Sequence, residues 1–257
     1  VIERLDRRYL MHKPFSGEMP LLLLMIMCQV AFAPDDGSRS KANPSGDQRS
    51  SEHNVNRMIR NSFSKFNGEY IILVRKSTFT LEIVTRDNQV VAKYPIAYGR
   101  NPDKKAPLYG GDNRTPEGEY SISVILSKDA DTATASYRDL AGMNRMYFSA
   151  KEGHSKFNHP EEDQGDNAFG PRDYHFNYPD SNDLKNYTNN KNNGKIPIVD
   201  GKPLPLSHRY DIHGNCDKPS IGHLATSGCI RMDNTDIVEM EKYVQIGTPV
   251  IILPANQ

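Results

Sequence analysis

The sequence predicts a mainly β domain, an antiparallel sandwich- or barrel-like core with a few helices and a long inserted loop or lid. Three observations predict it. Apolar and polar residues alternate with period two over 79–83 and again over 119–126. Turn-forming residues such as Asp87-Asn88 separate the runs, as in hairpins. The last apolar run, 250–253, follows Gly247 and Pro249 and reads as a buried closing strand.

Composition bounds the function classes. The chain has 257 residues, 37% apolar and 25% charged, enough for a sizeable core. Lys+Arg and Asp+Glu are both 32, so the net charge is zero. With no basic run either, a nucleic-acid partner is not expected. Three cysteines are too few for a disulfide scaffold. No glycine-rich phosphate loop is present, so ATP and NAD are not expected as cofactors.

Residues 1–33 read as a secretory signal peptide or N-terminal anchor. Arg4, Arg7, Arg8 and Lys13 precede an apolar run over 19–30, which exits on Ala31-Phe32-Ala33. A buried helix is the structural alternative, but polar residues follow at once. Lipidation at Cys28 calls for a small residue before it, and Met27 stands there. Residues 34–66 read as a linker and a short helix: 34–50 are polar and rich in Ser, Pro and Gly. Val55, Met58, Ile59, Phe63 and Phe66 then fall on one helical face, with Ser51 as the expected cap.

Residues 67–257 form the expected main domain. Residues 70–75 read as a strand, 79–83 alternate, 90–98 run extended, and 119–126 alternate again. Residues 127–207 are polar and read as the lid or insert, with a candidate helix at 130–146 and a surface loop at 180–195. His154, His159 and His175 lie in this insert and are expected to be solvated. Ile237, Met240 and Val244 recur at helical spacing behind Asp233, a cap.

The chemistry concentrates in 210–232, YDIHGNCDKPSIGHLATSGCIRM. A thiol has a pKa near 8.5 and needs a base to become a nucleophile. A histidine supplies that base, provided a third group orients it. His213-Gly214 and Ser227-Gly228-Cys229-Ile230-Arg231 offer these parts. Spacing alone does not decide among the alternatives. Cys216 and Cys229 suit a structural disulfide in an exported chain. His208, His213, Cys216, His223 and Cys229 suit a zinc site by residue type.

This segment resembles the active-site signature of the YkuD-type L,D-transpeptidases, bacterial cell-wall cysteine enzymes. The resemblance rests on Ile212-His213-Gly214, Thr226-Ser227-Gly228-Cys229-Ile230-Arg231, the turn Thr115-Pro116-Glu117-Gly118, and the phrase Tyr94-Pro95-Ile96-Ala97-Tyr98-Gly99. Asn177-Tyr178-Pro179 also resembles members of the superfamily. The similarity covers about 69–254 and implies that 67–257 is an L,D-transpeptidase-like catalytic domain.

The resemblance implies roles. Cys229 would be the nucleophile, His213 the base, and the Gly214 carbonyl the group that orients the imidazole. Amides around Gly228 and Cys229 would form the oxyanion hole, with Ser227 and Thr226 beside the substrate; Arg231 would support the pocket, either neutralising a substrate carboxylate or bracing the loop with buried hydrogen bonds. It implies no cofactor and no metal. The substrates would be peptidoglycan stem peptides, with a second stem, an envelope protein or water as acyl acceptor. Exported, the protein would act in the periplasm or cell envelope, membrane-anchored if the leader stays uncleaved. An L,D-carboxypeptidase or amide hydrolase of the same fold, or a non-catalytic wall-binding module, are the alternatives. The chain departs from the pattern at Ser227, where many members carry a second histidine; His223 is the nearest substitute. Cys216, three after His213, resembles a branch with a His-Gly-x-Cys pattern.

Overall fold

The computed structural model describes residues 46–257. The expected leader and the first part of the expected linker lie outside the described residues. The elements in order are α1 (Gly46–Ser64), β1 (Tyr70–Arg75), β2 (Thr80–Thr85), β3 (Val90–Gly99), β4 (Gly118–Ser127), α2 (Ala135–Asn144), β5 (Ser155–Lys156), β6 (His159–Asp163), β7 (Arg172–Phe176), α3 (Ser181–Asn192), β8 (Ile198–Val199), β9 (Lys202–Pro203), β10 (Asp211–His213), β11 (Leu224–Thr226), β12 (Ile230–Met232), α4 (Asn234–Met240) and β13 (Pro249–Leu253).

The nine-stranded sheet runs β11-β3-β12-β10-β7-β4-β13-β1-β2, and β2 pairs back onto β3, which closes it. Two long strands make the closure. The first half of β3 pairs with β2 through Thr80↔Pro95, and its second half pairs with β12 through Arg231↔Ala97. Likewise β4 pairs with β13 over 118–121 and with β7 over 122–127. Each thus crosses from one half of the sandwich to the other. The pairs β1–β13, β10–β12 and β11–β3 are parallel, an arrangement periodicity does not register.

The core lies between the halves. Ile72, Val74, Leu81, Ile83, Ile212, Ile230, Met232 and Val250 point into it, all at 0% exposure. On the opposite face of β1, Ile71 and Leu73 meet Val55, Ile59 and Phe63 of α1. This two-sided burial explains why β1 reads as continuous apolar sequence. Each of the three α1 side chains contributes roughly 1.5–3 kcal/mol by leaving water.

Three expectations are corrected. First, α1 begins at Gly46, so Ser51 is inside the helix rather than its cap, and 46–50 are not linker. Gln48 and Arg49 have good helix propensity, and a helix anchored by packing extends readily through such residues.

Second, 180–195 is not a loop. It holds α3, started by a capping box in which the Asp180 side chain accepts from Asp183 N and the Asp183 side chain accepts from Asp180 N. No α3 residue is buried, so there was no apolar face to find.

Third, 127–207 is not one insert, because 172–176 within it is β7, a central strand. Tyr174 and Phe176 enter the core while Asp173 and His175 take the other face. Among the described residues no helix is long and apolar enough to cross a membrane.

Candidate active site

Three short strands set the site. In β7 and β10, Asp211 lies opposite His175, and His213 opposite Asp173. In the parallel pair β10–β12, His213 lies opposite Arg231 and Ile212 opposite Ile230. One step back, that register sets Cys229 beside Asp211. Since Tyr174, Ile212 and Ile230 fill the core, the alternate positions share the outward face. Two rows of polar side chains result: His175, Asp211 and Cys229, then Asp173, His213 and Arg231.

His213 is 5% exposed. Its Nδ1–H donates to the Gly214 carbonyl at 2.6 Å, and a carbonyl only accepts, so the proton is on Nδ1 and Nε2 carries the lone pair. Phe169 packs on the ring at 5.0 Å between centroids. Burial and the nearby Arg231 guanidinium push the imidazole down to about 3, against the carbonyls of Gly214 and Ala168, which favour its cation. Gly214 is required because a Cβ there would meet Pro171 Cδ at 2.8 Å and Gly170 Cα at 3.0 Å.

Cys229 is half-buried and its thiol is free, as is that of Cys216. Burial, then the Asp211 carboxylate, pushes the Cys229 thiol well above its ordinary value, although the Asp211 N–H bonds to the sulfur. Burial therefore disfavours both the thiolate and the imidazolium at rest. Among the described residues no hydrogen bond joins them. By the register of β10 and β12 they stand diagonally, two residues apart along neighbouring strands.

The loop before Cys229 is held from behind. The Thr115 hydroxyl donates to the Gly228 carbonyl at 2.7 Å and accepts from Gly99 N–H at 2.9 Å. One side chain thus joins three sequence elements that were recognised separately. Gly228 has φ +133°, and a Cβ there would lie 2.7 Å from the Arg114 carbonyl oxygen and against the Tyr210 ring.

Several of the expected site residues are already engaged within the protein. The Gly228 N–H already donates to Thr226 Oγ1 at 3.1 Å, so this amide is not free for an oxyanion. Thr226 is 3% exposed and also donates to the Cys229 carbonyl at 2.6 Å; it staples the loop instead of meeting substrate. Ser227 is exposed and accepts from Arg100 Nη2 at 3.4 Å. Arg231 is 5% exposed and donates through Nη1 to Ser220 Oγ at 2.9 Å, with Asp217 Oδ2 at 3.4 Å. Its Nε has no partner.

Residues 148–169 lie over this face. The Cys216 thiol donates to the Gln164 carbonyl at 3.2 Å. His223 stacks on Phe157 at 4.4 Å, and Arg100 Nη1 donates to the Gly153 carbonyl at 2.7 Å. Arg100, Phe169 and the Thr115 hydroxyl were not singled out from sequence; only the Thr-Pro-x-Gly turn pointed near one of them.

The expectation that all three insert histidines are solvated fails for two. His175 has a side chain 13% exposed, 3.0 Å from Asp173 Oδ1, and His154 packs edge-on to Phe148. Only His159, at 60%, stands in solvent. Among the described residues, the ligand atoms that come together as a metal would need are those of Asp173, His175 and Asp211, not those of the Cys/His set weighed as an alternative.

The chain matches the YkuD family model, described as the L,D-transpeptidase catalytic domain, over residues 69–252. It is 27% identical over 192 residues to YqjB of Bacillus subtilis, a relative named for the L,D-transpeptidases, covering 74% of each chain. A shorter match, 47% over 72 residues, links it to YkuD of Bacillus licheniformis, 24% of this chain and 44% of that one. Among solved structures it is similar to Bd1075 of Bdellovibrio bacteriovorus (19% identity, TM-score 0.42, covering 72% of this chain and 48% of that one). It is also similar to L,D-transpeptidase 3 of Mycobacterium tuberculosis in complex with a faropenem-derived adduct (13%, TM-score 0.38, 72% and 60%). The chain spans less than two thirds of the length of these two solved chains.

Proposed function

This chain belongs to the YkuD family of L,D-transpeptidase catalytic domains, and from that premise we propose that it is a cysteine L,D-transpeptidase acting on peptidoglycan stem peptides. The observation that carries the reading is the His213–Gly214 contact at 2.6 Å, which fixes Nε2 as a proton acceptor on the face that Cys229 shares.

The Cys229 sulfur attacks the carbonyl carbon of the third stem residue while its proton passes to His213 Nε2. Because burial disfavours both ions at rest, thiol and imidazole ionise together as the bond forms, not as a standing ion pair. Catalytic hydrogen bonds commonly tighten only around substrate, and the diagonal placement leaves room for this.

The imidazolium is then supported by the carbonyls of Gly214 and Ala168. The oxyanion draws on the Cys229 amide rather than that of Gly228, which is already engaged. Collapse breaks the amide bond, and His213 returns the proton to the departing terminal D-residue. The thioester then passes its acyl group to an amine of a second stem, with the acceptor's proton leaving through His213. Arg231 positions the 217–220 turn. The reaction takes place outside the cytoplasm, in the cell envelope.

The test is the full chain incubated with tetrapeptide-stem muropeptides, with products followed by mass spectrometry. Release of D-alanine with a cross-linked dimer, lost in Cys229→Ala, supports the reading. Release with a tripeptide product alone makes it a carboxypeptidase. No release by a folded, reduced protein contradicts it.

A further inference from the structure

The proposed reaction leaves a group of buried side chains without a task. Asp173, His175 and Asp211 bring one ligand atom each within 4.8 Å of one another. Asp173 is 0% exposed and Asp211 1%. Both Asp173 oxygens, Asp211 Oδ1 and His175 Nε2 are buried without a hydrogen-bond partner. Among the described residues the side-chain partner of these carboxylates is Arg209 Nε, 2.8 Å from Asp211 Oδ2. Three of the four carboxylate oxygens thus remain unmatched, and leaving a carboxylate unpaired in the interior costs several kcal/mol.

The spacing points to what is missing. His175 Nε2 stands 3.0 Å from Asp173 Oδ1 and 3.9 Å from Asp211 Oδ1, with hydrogen-bond geometry to neither. Ligands each about 2.1 Å from a shared cation lie about 3–3.5 Å from one another; the Asp173 contact is at that spacing and the Asp211 contact is wider, so the Asp211 carboxylate draws in on binding. Burial keeps the imidazole on its neutral, ligating side and pushes the carboxyls of Asp173 and Asp211 up to about 8 and about 7. The antiparallel register makes the cluster deliberate in form: Asp211 sits opposite His175, and Asp173 is two residues along the same face.

We propose that Asp173, His175 and Asp211 bind a divalent cation of the zinc class through one imidazole nitrogen and two carboxylate oxygens, with water completing the shell. An imidazole with carboxylates favours zinc-like ions over magnesium, which prefers all-oxygen octahedral sites and holds its waters. The cation ties β7 to β10 at the row that ends at Cys229. It takes no part in the acyl transfer, so the proposal stands or falls apart from the enzymatic reading.

The test is calorimetric titration of the full chain, first stripped with a chelator, with zinc chloride. The expected result is one ion per chain at this site, retained in a Cys216→Ser/Cys229→Ser double variant. Affinity falls at least about tenfold in His175→Gln and in Asp211→Asn, and excess magnesium does not displace zinc. Cobalt(II) loading of the unsubstituted protein gives ligand-field bands without sulfur-to-cobalt charge transfer, a readout independent of whether the variants fold. Failure to bind zinc overturns the proposal. So does binding unaffected in folded His175→Gln and Asp211→Asn, or a charge-transfer band that places the cysteines in the shell.

Discussion

The Thr115 hydroxyl donates to the Gly228 carbonyl at 2.7 Å, joining the turn before β4 to the loop that presents Cys229. Thr115 is 2% exposed, so water does not substitute for it. Thr115→Val keeps the shape but orphans the Gly228 carbonyl and the Gly99 amide. Each orphan costs about 1–3 kcal/mol. Urea denaturation is expected to show a lowered midpoint for Val and a nearly unchanged one for Thr115→Ser. An unchanged midpoint for Val would mean the bond does not hold the loop.

Gly228 tests the same loop from the other side. At φ +133°, with the Arg114 carbonyl 2.7 Å from where a Cβ would sit, Gly228→Ala must move the chain. Strain of this kind costs on the order of 1–3 kcal/mol. The expected outcome is a folded but less stable protein with little turnover on muropeptides. Full turnover would show that the loop's path is not needed.

His213→Gln removes the proposed base while keeping a polar side chain. General-base loss commonly lowers rates by about 10²–10⁴-fold. Single-turnover acylation should fall in that range, with substrate affinity changing little. Acylation at the parent rate would exclude His213 as the base.

Arg231 is the positively charged anchor of the 217–220 turn. Arg231→Met leaves Asp217, 4% exposed, without its guanidinium partner. Breaking one side of a buried pair typically costs about 3–5 kcal/mol. Thermal unfolding should register this as a clear fall in Tm, and no fall would show that the pair adds nothing.

The Arg114 guanidinium holds the Asp103 carboxyl at about 2, below its ordinary 3.8. A lowered folded-state pKa adds stability that is complete above pH 3.8 and disappears as pH falls through about 2. The Asp103 side chain is 34% exposed, so the effect is modest and screened by salt. The difference in Tm between the parent and Asp103→Asn should be largest near neutrality and vanish near pH 2. A difference that persists at pH 2 would place its origin elsewhere.

What could be read from the sequence follows from which residues face the core. Tyr70–Arg75, 79–83 and 119–126 declare themselves because most of their apolar residues are buried on a sheet; Val124 is the exception, exposed past the register shift after Ile122. The pairing of His213 with Gly214 was legible because it is local and carried by a motif. β7 was hidden because Asp173 is a buried polar residue and His175 a largely covered one, so its alternation looked like surface. α3 was hidden because it buries nothing and is held at its start by the Asp180–Asp183 box. The reach of Thr115 to Gly228 spans 113 residues, and long-range contacts of this kind leave no periodic trace.

The central claim is that Cys229 is the nucleophile, and trapping the acyl-enzyme tests it most directly. A carbapenem presents a strained amide that a reactive cysteine opens to a stable thioester. Intact-mass analysis of the full chain should show one adduct, mapped by peptide sequencing to Cys229, present in Cys216→Ser and absent in Cys229→Ser. An adduct mapped to Cys216, or none at all while Cys229 titrates as a free thiol, would contradict the account.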